Sequence, residues 1–541
     1  MDLDVILQDL GQFGKYQILS YALLFFPVIF SSFPVLSYVF TTSHLNYRCY
    51  VPECENKTEP LTFEPTWLPI AVPYTNNQKS SCERFKPVAE NNSTCLAPNF
   101  MRNVTEKCED YVFEDSSNSI VTDFDMICED NDWKRTSIGS INNVAQFIGL
   151  PFAGFISDRF GRRTMLVTVT VLSAIMGVLR SFSVSYVMFA VFEFCDALVG
   201  GNIYSACFIL GLEIVGPKKR MFGSIVLSCF FCIGEALLGA TMWYFKDWRI
   251  LLRVIYTPGL FIIIYAWIVP ESIRWLVTKG FNKKAVEIVR KIAKVNNRNL
   301  PEQVANDLES MPPKGEVTLN KESDTKCKTE ATYKPGAQKN SAFSKVFKSK
   351  PLLLRLINCS FCWMANTLVY YGLSLNSISV GGNRYYNFIL VSLVEIPAYV
   401  ITMIFTEHFG RRISLCGSLV VSGAACIAFY FVETDMLTAR LVLYMTGKLA
   451  ITMSFTVIYI YTAEMFPTEL RHSLLATCSM FGRIGSMIAP QTPLLATYVE
   501  PLTVFGMVSL LGAGLSLTFP ETLNTKLPDT IEEAEDVGVR K

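Results

Sequence analysis

The feature that most constrains this chain is a series of long apolar runs. Twelve stretches have the length of about 20 residues that a helix needs to cross the ~30 Å hydrocarbon core of a bilayer. They are 16–40, 137–157, 164–184, 187–212, 221–245, 250–269, 352–376, 384–406, 412–432, 437–462, 471–496 and 501–519, called spans 1 to 12 below. Hydrophobic residues make up 51% of the chain and charged residues 18%, which is too apolar for a soluble protein of 541 residues. The sequence therefore predicts an all-α membrane protein with twelve transmembrane helices.

The charged loops between the spans predict the side of the membrane that each loop occupies. Lysine and arginine are concentrated in DRFGRRT (158–164), GPKKR (216–220), HFGRRI (408–413) and the segment 271–350. Because such loops stay in the cytosol, we expect both terminal segments, 1–15 and 521–541, in the cytosol and the loop 41–136 outside. The residues before span 1 are acidic, so span 1 is not expected to be a cleaved signal peptide.

The loop 41–136 has the composition of an extracellular segment. Its six cysteines, an even number, fit disulfides in an oxidising compartment; they are Cys49, Cys54, Cys82, Cys95, Cys108 and Cys128. Six cysteines allow 15 pairings, and the sequence does not choose among them. The loop also holds four glycosylation acceptors, Asn56, Asn91, Asn92 and Asn103. These features predict a disulfide-bonded, glycosylated outer domain.

Short charged motifs recur in the two halves of the chain, about 250 residues apart. SDRFGRR recurs as TEHFGRR, EIVGPKKR as EMFPTELR, and VPESIRWL as FPETL. Three pairs in the same register indicate an internal duplication. Two parallel six-helix halves, 16–270 and 351–520, joined by a cytosolic linker, are typical of the major facilitator fold of secondary transporters.

The repeated motifs place carboxylates and guanidinium groups at fixed spacing at the cytosolic ends of the helices. The residues concerned are Asp158, Arg162, Arg163, Glu213, Arg220, Glu271, Arg274, Glu407, Arg411, Glu464, Arg471 and Glu521. One interpretation is that the arginines only hold their loops in the cytosol. That interpretation does not explain the carboxylates, which can pair with guanidinium groups of neighbouring helix ends. We therefore predict a cytosolic gate that these pairs hold shut in the outward-open state.

The linker 271–350 is polar and rich in lysine. In its segment 281–297, Ala285, Ile288, Val289 and Ile292 recur at the spacing of one helix face. We expect an amphipathic cytosolic helix in that segment and flexible chain in the remainder of the linker.

Six ionisable residues lie well inside the spans, where an unpaired charge is costly. They are Glu193 and Asp196 in span 4, Glu235 in span 5, Glu395 in span 8, Lys448 in span 10 and Arg483 in span 11. Such residues pair with one another or bind a ligand. For Glu193 and Asp196 we expect pairing. For Arg483 two interpretations stay open, namely a substrate carboxylate or a permanent acidic partner such as Glu395 or Glu235.

Aromatic residues share helix faces with these charges. Tyr370 and Tyr371 lie in span 7, and Phe455 and Tyr459 follow Lys448 in span 10. Aromatic rings and a carboxylate suit an alkylammonium group, and an arginine suits a carboxylate. The predicted substrate site therefore consists of Arg483, Tyr370, Tyr371, Glu235, Glu395, Phe455, Tyr459 and Lys448.

Other classes of function find no support in the sequence. It shows no catalytic constellation, metal-ligand cluster or nucleotide cradle, so we expect no enzyme, no metal and no cofactor. The net charge of +1 gives no indication of nucleic-acid binding. The expected partners are a small organic ion and the lipid bilayer, and the protein is expected to act as a monomer.

The chain resembles solute carrier family 22, the organic cation, anion and zwitterion transporters, over nearly its whole length. The resemblance rests on the outer loop ending in DFDMICEDNDW, on SLVEIPAYV (392–400), on GKLAITMSFTVIYIYTAEMFPTELR (447–471) and on LPDTIEEA (527–534). The motifs SDRFGRR and VPESIRWL are less specific, because sugar carriers share elements of them. VEIPAYV and YYGLSLNS look like the carnitine-type branch of the family.

The resemblance implies roles for individual residues. Arg483 would bind the substrate carboxylate, whereas cation carriers typically have aspartate at this position. Glu464 matches a glutamate linked to sodium coupling in the carnitine carriers, so coupling to sodium is an expectation. Ile203 stands where those carriers have an asparagine, and Glu235 has no acidic counterpart in them. The first difference speaks against carnitine itself, and the second speaks for a site that binds an amine or quaternary ammonium group.

These observations together predict a plasma-membrane uptake carrier that moves a carnitine-like or betaine-like zwitterion by alternating access. An organic cation carrier that uses Glu235, Glu395 or Asp196 as the counter-charge is the main alternative. An organic anion carrier and a ligand-sensing receptor built on a transporter scaffold are further alternatives.

Overall fold

A computed structural model of the chain describes residues 3–43, 45–56, 61–75, 78–88, 95–115, 117–128, 131–216, 219–311, 349–467, 470–496, 498–523, 528 and 531–536. Spans 1 to 6 are Lys15–Leu36, Asp132–Phe160, Arg162–Arg180, Tyr186–Gly200 with Ile203–Ile214, Arg220–Phe245, and Trp248–Leu260 with Tyr265–Ile268. Spans 7 to 12 are Lys350–Asn376, Arg384–Leu393 with Glu395–His408, Arg411–Tyr430, Leu437–Met465, Arg471–Ile488 with Thr492–Leu495, and Pro501–Ser516. Each predicted span thus coincides with one helix or with two consecutive helices.

Nine helical regions in the described part of the chain are long and apolar enough to cross a membrane. The helices of spans 2, 11 and 12 do not meet the same measure. Span 2 has charged ends and carries Asn142 and Asn143 in its interior, span 11 carries Arg483, and span 12 has only 16 residues. These three helices nevertheless pack against the other spans.

Buried apolar side chains form two main cores that coincide with the two halves of the chain. One core joins spans 1 to 6 to the linker, includes Phe30, Trp248 and Val289, and extends across the interface to Tyr385 and Phe388 of span 8. The other joins spans 7 to 12 and includes Tyr461 and Phe505. Each half therefore packs around its own interior, as the duplication of the charged motifs predicts.

The two halves meet on the side of the molecule where the cysteine-rich loop lies. Ser140 of span 2 donates a hydrogen bond to the carbonyl of Met487 (2.8 Å) and accepts one from the side chain of Gln491 (2.7 Å). The rings of Phe40 and Phe388, one from each half, pack edge to face with centroids 4.8 Å apart. The path between the halves is therefore closed toward the cysteine-rich loop.

The cysteine-rich loop forms a small domain of paired strands. Tyr47–Cys49 pairs with Tyr111–Phe113, Tyr74–Thr75 with Gln78–Lys79, and Glu83–Pro87 with Phe100–Lys107, all antiparallel. The disulfides are Cys49–Cys108, Cys54–Cys95 and Cys82–Cys128, so all six predicted cysteines are paired. Asn56 and Asn103 are exposed, whereas Asn91 and Asn92 lie outside the described residues. Glycosylation of the four asparagines stays a prediction.

The predicted amphipathic helix of the linker is present as Asn282–Val295. Ala285, Val289 and Ile292 on its apolar face are buried. Asn296, directly after the helix, accepts a hydrogen bond from the backbone of Tyr16 (2.9 Å) and so fastens the helix to the start of span 1. Further short helices around it are Leu3–Asp9, Ile273–Thr278 and Glu302–Glu309. Residues 312–348 of the linker, where flexible chain is predicted, lie outside the described residues.

Candidate functional site

In the first half, the charged motifs join the ends of spans 2, 3, 4 and 6. Arg162 lies 2.9 Å from the carboxylate of Asp158 and 3.7 Å from that of Glu213. Glu271 accepts hydrogen bonds from the backbone amides of Arg162 (2.9 Å) and Arg163 (3.1 Å), which begin span 3. A carboxylate at the positive end of a helix is stabilised by the helix dipole. Gly161 has φ +101°, and a Cβ there would collide with this carboxylate, so the motif requires glycine.

The second half repeats this arrangement with one change. Glu521 accepts from the backbone amides of Arg411 (2.8 Å) and Arg412 (3.1 Å) at the start of span 9. Two nitrogens of the Arg411 guanidinium lie 3.0 Å from the Glu464 carboxylate, a two-pronged pair. Glu407, the counterpart of Asp158, is exposed and has no ion-pair partner among the described residues. Glu464 is less exposed than Glu407, so its ion pair with Arg411 is better shielded from water.

All of these ion pairs join helices of the same half. Arg220, Arg274 and Arg471 are half-buried at the same ends of the halves. These ion pairs therefore hold together the helix ends within each half. The two halves contact each other on the opposite side of the molecule, toward the cysteine-rich loop. Their role as a gate in the outward-open state stays a prediction, because the structure shows the conformation that is closed toward the cysteine-rich loop.

The acids of span 4 pair inside the first half, as predicted. Glu193 and Asp196 are fully buried and both face the guanidinium of Arg180 in span 3. Asp196 also accepts hydrogen bonds from Ser173 and Tyr256, each at 2.5 Å. This cluster lies in the interior of the half, so the alternative that Asp196 binds a cationic substrate is wrong for this structure.

The centre of the molecule holds a second buried ion pair, between spans 8 and 10. Lys448 lies 2.8 Å from the carboxylate of Glu395, and both side chains are buried. Tyr370 of span 7 donates its hydroxyl to the same carboxylate (2.8 Å), and Tyr399 does so at 3.3 Å. The Lys448 ammonium also lies over the ring of Tyr370, 3.4 Å from its centroid. Span 8 is interrupted at Val394, directly before Glu395.

Glu235 of span 5 approaches this pair from the other half. It is 2% exposed and lies within electrostatic range of both Glu395 and Lys448. Its Oε1 atom has no hydrogen-bond partner in the described part of the protein. The centre therefore contains two carboxyl groups and one ammonium group within a short distance.

Arg483 takes no part in these pairs. Its side chain is half-buried, and it has neither an ion pair nor a side-chain hydrogen bond to any described residue. Its guanidinium lies within electrostatic range of the hydroxyls of Tyr371 and Tyr459. The interpretation of Arg483 as a permanent partner of Glu395 or Glu235 is therefore wrong for this conformation.

An aromatic wall lies next to Arg483. The ring of Tyr459 is 4.4 Å from that of Trp363 and 5.5 Å from that of Phe455, and Phe455 stacks on Tyr370 at 5.2 Å. Tyr459 is nevertheless 46% exposed. It also lies within electrostatic range of Tyr204 in the other half, so it borders the open space between the halves.

Two aromatic residues of this region, Trp363 and Tyr204, are not part of the substrate site predicted from the sequence. Trp363 lies two helical turns before Tyr370 on the same face of span 7, so helical periodicity could have identified it. Tyr204 hydrogen-bonds Ser228 of span 5 (3.1 Å), and its role depends on packing between helices that the sequence does not show. Ile203, beside it, is fully buried in the core of the first half.

The site offers non-covalent recognition of charge and of apolar surface. A free guanidinium can bind a carboxylate through two hydrogen bonds, and aromatic faces can hold an alkylammonium group. No group of three or more metal-ligating side chains occurs among the described residues.

An ionic clasp joins the outer domain to both halves. Asp115 of the domain accepts from Lys246 at the end of span 5 (3.1 Å) and from Arg384 at the start of span 8 (2.9 Å). Burial alone would raise the pKa of Asp115, but the hydrogen bond from Lys246 and the charge of Arg384 lower it below its ordinary value of 3.8. The clasp therefore stays charged as the pH falls to about 4 and is lost only as the pH passes below that value.

We expect Asp115→Asn to loosen the closure on this side. The pair is partly exposed, so its loss is worth about 1 kcal/mol, or roughly fivefold in the open population. The measurement is the rate at which a cysteine placed at Ser140, inside the closed interface, reacts with an impermeant thiol reagent. Asp125→Asn, at an exposed position of the same domain, is the control. Equal labelling rates in Asp115→Asn and Asp125→Asn would contradict a role of the clasp in closure. A labelling rate that varies between pH 5 and 8 only when Asp115 is present would also contradict it.

Comparison with known proteins identifies the fold and the family. The family model of sugar (and other) transporters matches residues 90–533. An organic cation transporter protein of Drosophila melanogaster is 33% identical over 99% of this chain and 95% of its own length. The human organic cation/carnitine transporter 2 is 29% identical over 98% of this chain and 94% of its own length. The xylose transporter XylE from E. coli, in an inward-open conformation, has a TM-score of 0.58 at 17% identity over 77% of this chain and 93% of that chain.

The fold and its internal repeat define a secondary transporter of the major facilitator superfamily. Mouse solute carrier family 22 member 21 is 31% identical over 99% of this chain and 94% of its own length. The chain belongs to the sugar (and other) transporter family and, within it, to solute carrier family 22. The resemblance seen in the sequence is thus confirmed, and the protein is a multi-pass membrane transporter rather than an enzyme.

Proposed function

We propose that the protein is a plasma-membrane uptake carrier for a small zwitterion that has a carboxylate and an ammonium group. The observation that carries the proposal is Arg483, a half-buried guanidinium that lies within electrostatic range of Tyr371 and Tyr459 and has no acidic partner among the described residues. A charge in the membrane interior without a protein partner is costly. A substrate carboxylate offsets that cost whenever it is bound.

The ammonium group of the substrate would lie across the aromatic wall from Arg483. Tyr370 and Phe455 present stacked rings there, and Glu235 and Glu395 share one ammonium, that of Lys448. An additional cation between these groups would balance the second carboxyl. The relatives named as organic cation and organic cation/carnitine transporters support a substrate with a cationic group.

An organic cation carrier is the second candidate. The unpartnered Oε1 of Glu235 favours it, since a cation without a carboxylate could bind there and leave Arg483 unused. Coupling to sodium through Glu464 has less support, because Arg411 and Thr522 (2.6 Å) already occupy that carboxylate. We propose both terminal segments in the cytosol, on the basic side of the molecule.

Uptake by oocytes distinguishes these candidates. The probes are labelled carnitine, tetraethylammonium and a dicarboxylate, each with and without sodium. The proposal predicts accumulation of the zwitterion in preference to the other two. Accumulation of tetraethylammonium alone would support the second candidate, and uptake of the dicarboxylate alone would contradict both. Binding of a probe to purified protein without any accumulation would indicate a receptor.

A further inference from the structure

Glu235 is a buried acid whose carboxyl group hydrogen-bonds Ser392 but has no ion-pair partner among the described residues. It belongs to the first half, whereas the groups around it belong mostly to the second half. Its side chain is 2% exposed, and its Oε1 atom has no hydrogen-bond partner in the part of the chain that the structure describes. A carboxyl group in such a place needs a proton or a cation, because an ionised carboxylate without a partner is unstable there.

Among the described residues, the surroundings of Glu235 supply one positive charge, that of Lys448. Span 8 contributes Glu395, the hydroxyl of Ser392 and the phenol of Tyr399, and span 10 contributes Lys448. Span 7 contributes the phenols of Tyr370 and Tyr371, and span 5 itself contributes Cys232. Span 1 packs against Gly234 with Ile29 and Ser32, neither of which is charged. The Lys448 ammonium already pairs with Glu395 at 2.8 Å.

Two partners can therefore neutralise the Glu235 carboxylate, and only one of them can do so at a time. One is a proton on the carboxyl group, and the other is the ammonium group of a bound substrate beside the ionised carboxylate. Binding of the substrate ammonium releases the proton to water, and departure of the substrate allows a proton from water to return. No covalent step is involved.

We propose that the protein exchanges a proton for the cationic group of its substrate at Glu235, so that uptake of the substrate is accompanied by export of a proton. The inference rests on the proposed function, since it requires a substrate with an ammonium group. The exchange follows from the position of Glu235 between the halves. A carrier with an ionised, unoccupied Glu235 would have to enclose an unbalanced charge to reorient, so only the protonated form returns efficiently to the outside.

The test uses the purified full-length protein in liposomes that contain a fluorescent pH indicator. Potassium and valinomycin on both sides hold the membrane potential near zero. The probes are labelled carnitine and tetraethylammonium. The liposome interior is made more acidic than the outside. If one proton leaves for each probe molecule that enters, each pH unit of this gradient should raise the final ratio of internal to external probe about tenfold. Uptake should also raise the internal pH.

The results of the liposome experiment distinguish failure of the proton exchange from failure of the proposed function. Uptake of carnitine without a rise of internal pH, or with a fall, would overturn the inference and leave the proposed function standing. The absence of uptake of both probes at every gradient contradicts the proposed function and the inference together. These two failures are therefore distinguishable in the protein without substitutions.

Substitutions at Glu235 test whether this residue carries the exchanged proton. In Glu235→Gln the accumulation ratio should no longer respond to the pH gradient, whereas Glu235→Asp, which keeps a carboxyl group, should still export protons. Glu433→Gln, at an exposed acid between spans 9 and 10, is the matched control and should behave like the unchanged protein. A normal response to the gradient in Glu235→Gln, or loss of proton export in Glu235→Asp that still accumulates substrate, would overturn the assignment.

Discussion

Replacing Arg180 by leucine is expected to abolish the accumulation of folded protein at the cell surface. The guanidinium is fully buried and faces Glu193 and Asp196, and it also donates to Ser37 (2.8 Å) and Tyr256 (3.2 Å). Removal of one partner from a buried charge cluster leaves carboxylates without compensation, which costs about 3–5 kcal/mol. That is a large share of the 5–15 kcal/mol that stabilises a typical domain.

The measurement is the amount of monodisperse protein after extraction, together with its melting temperature. Arg298→Leu, at an exposed position after the linker helix, is the control for loss of an arginine. Arg180→Met combined with Glu193→Gln and Asp196→Asn removes all three charges and should recover most of the folded protein. Normal expression of Arg180→Leu, or equal damage in the single and triple variants, would show that the charges do not stabilise this half.

The sequence predicts the features that depend on local pattern. Apolar length identifies the spans, because the bilayer fixes the length of a crossing helix. The repeated motifs predict the two halves, and Glu271 and Glu521 indeed occupy equivalent positions at the starts of spans 3 and 9. The helix Asn282–Val295 follows from apolar residues at helical spacing.

The choice of partners could not be predicted, since it depends on how helices pack. Arg180 lies at the end of span 3, where a basic residue would ordinarily reach the aqueous interface, yet it is 0% exposed and compensates the acids of span 4. Arg411 pairs with Glu464 rather than with Glu407, four residues away in its own motif. The three disulfides represent one of 15 pairings that only the folded outer domain distinguishes.

Replacing Arg483 by alanine is expected to weaken the binding of a zwitterion by roughly 30- to 1000-fold, or about 2–4 kcal/mol. The expected loss is large because the two-pronged hydrogen bond to the carboxylate lies in a half-buried, aromatic environment. Folding should be unaffected, since Arg483 has no ion pair with any described residue that its removal would break.

Arg483→Lys separates charge from geometry. Lysine keeps the positive charge but cannot offer two parallel N–H groups, so its affinity for the zwitterion should lie between those of the unchanged protein and Arg483→Ala. Binding to purified protein by calorimetry gives these affinities, and the melting temperature verifies the fold. An unchanged affinity in Arg483→Lys and Arg483→Ala would mean that the guanidinium does not contact the substrate.

The most direct test of the central claim is a thermodynamic cycle that combines the Arg483 side chain with the substrate carboxylate. The affinities of carnitine and of its methyl ester, which has no carboxylate charge, are measured for the unchanged protein and for Arg483→Ala. We predict that the unchanged protein prefers carnitine and that this preference disappears in Arg483→Ala. The same preference in both proteins would contradict the claim that Arg483 is kept in the membrane to bind a carboxylate.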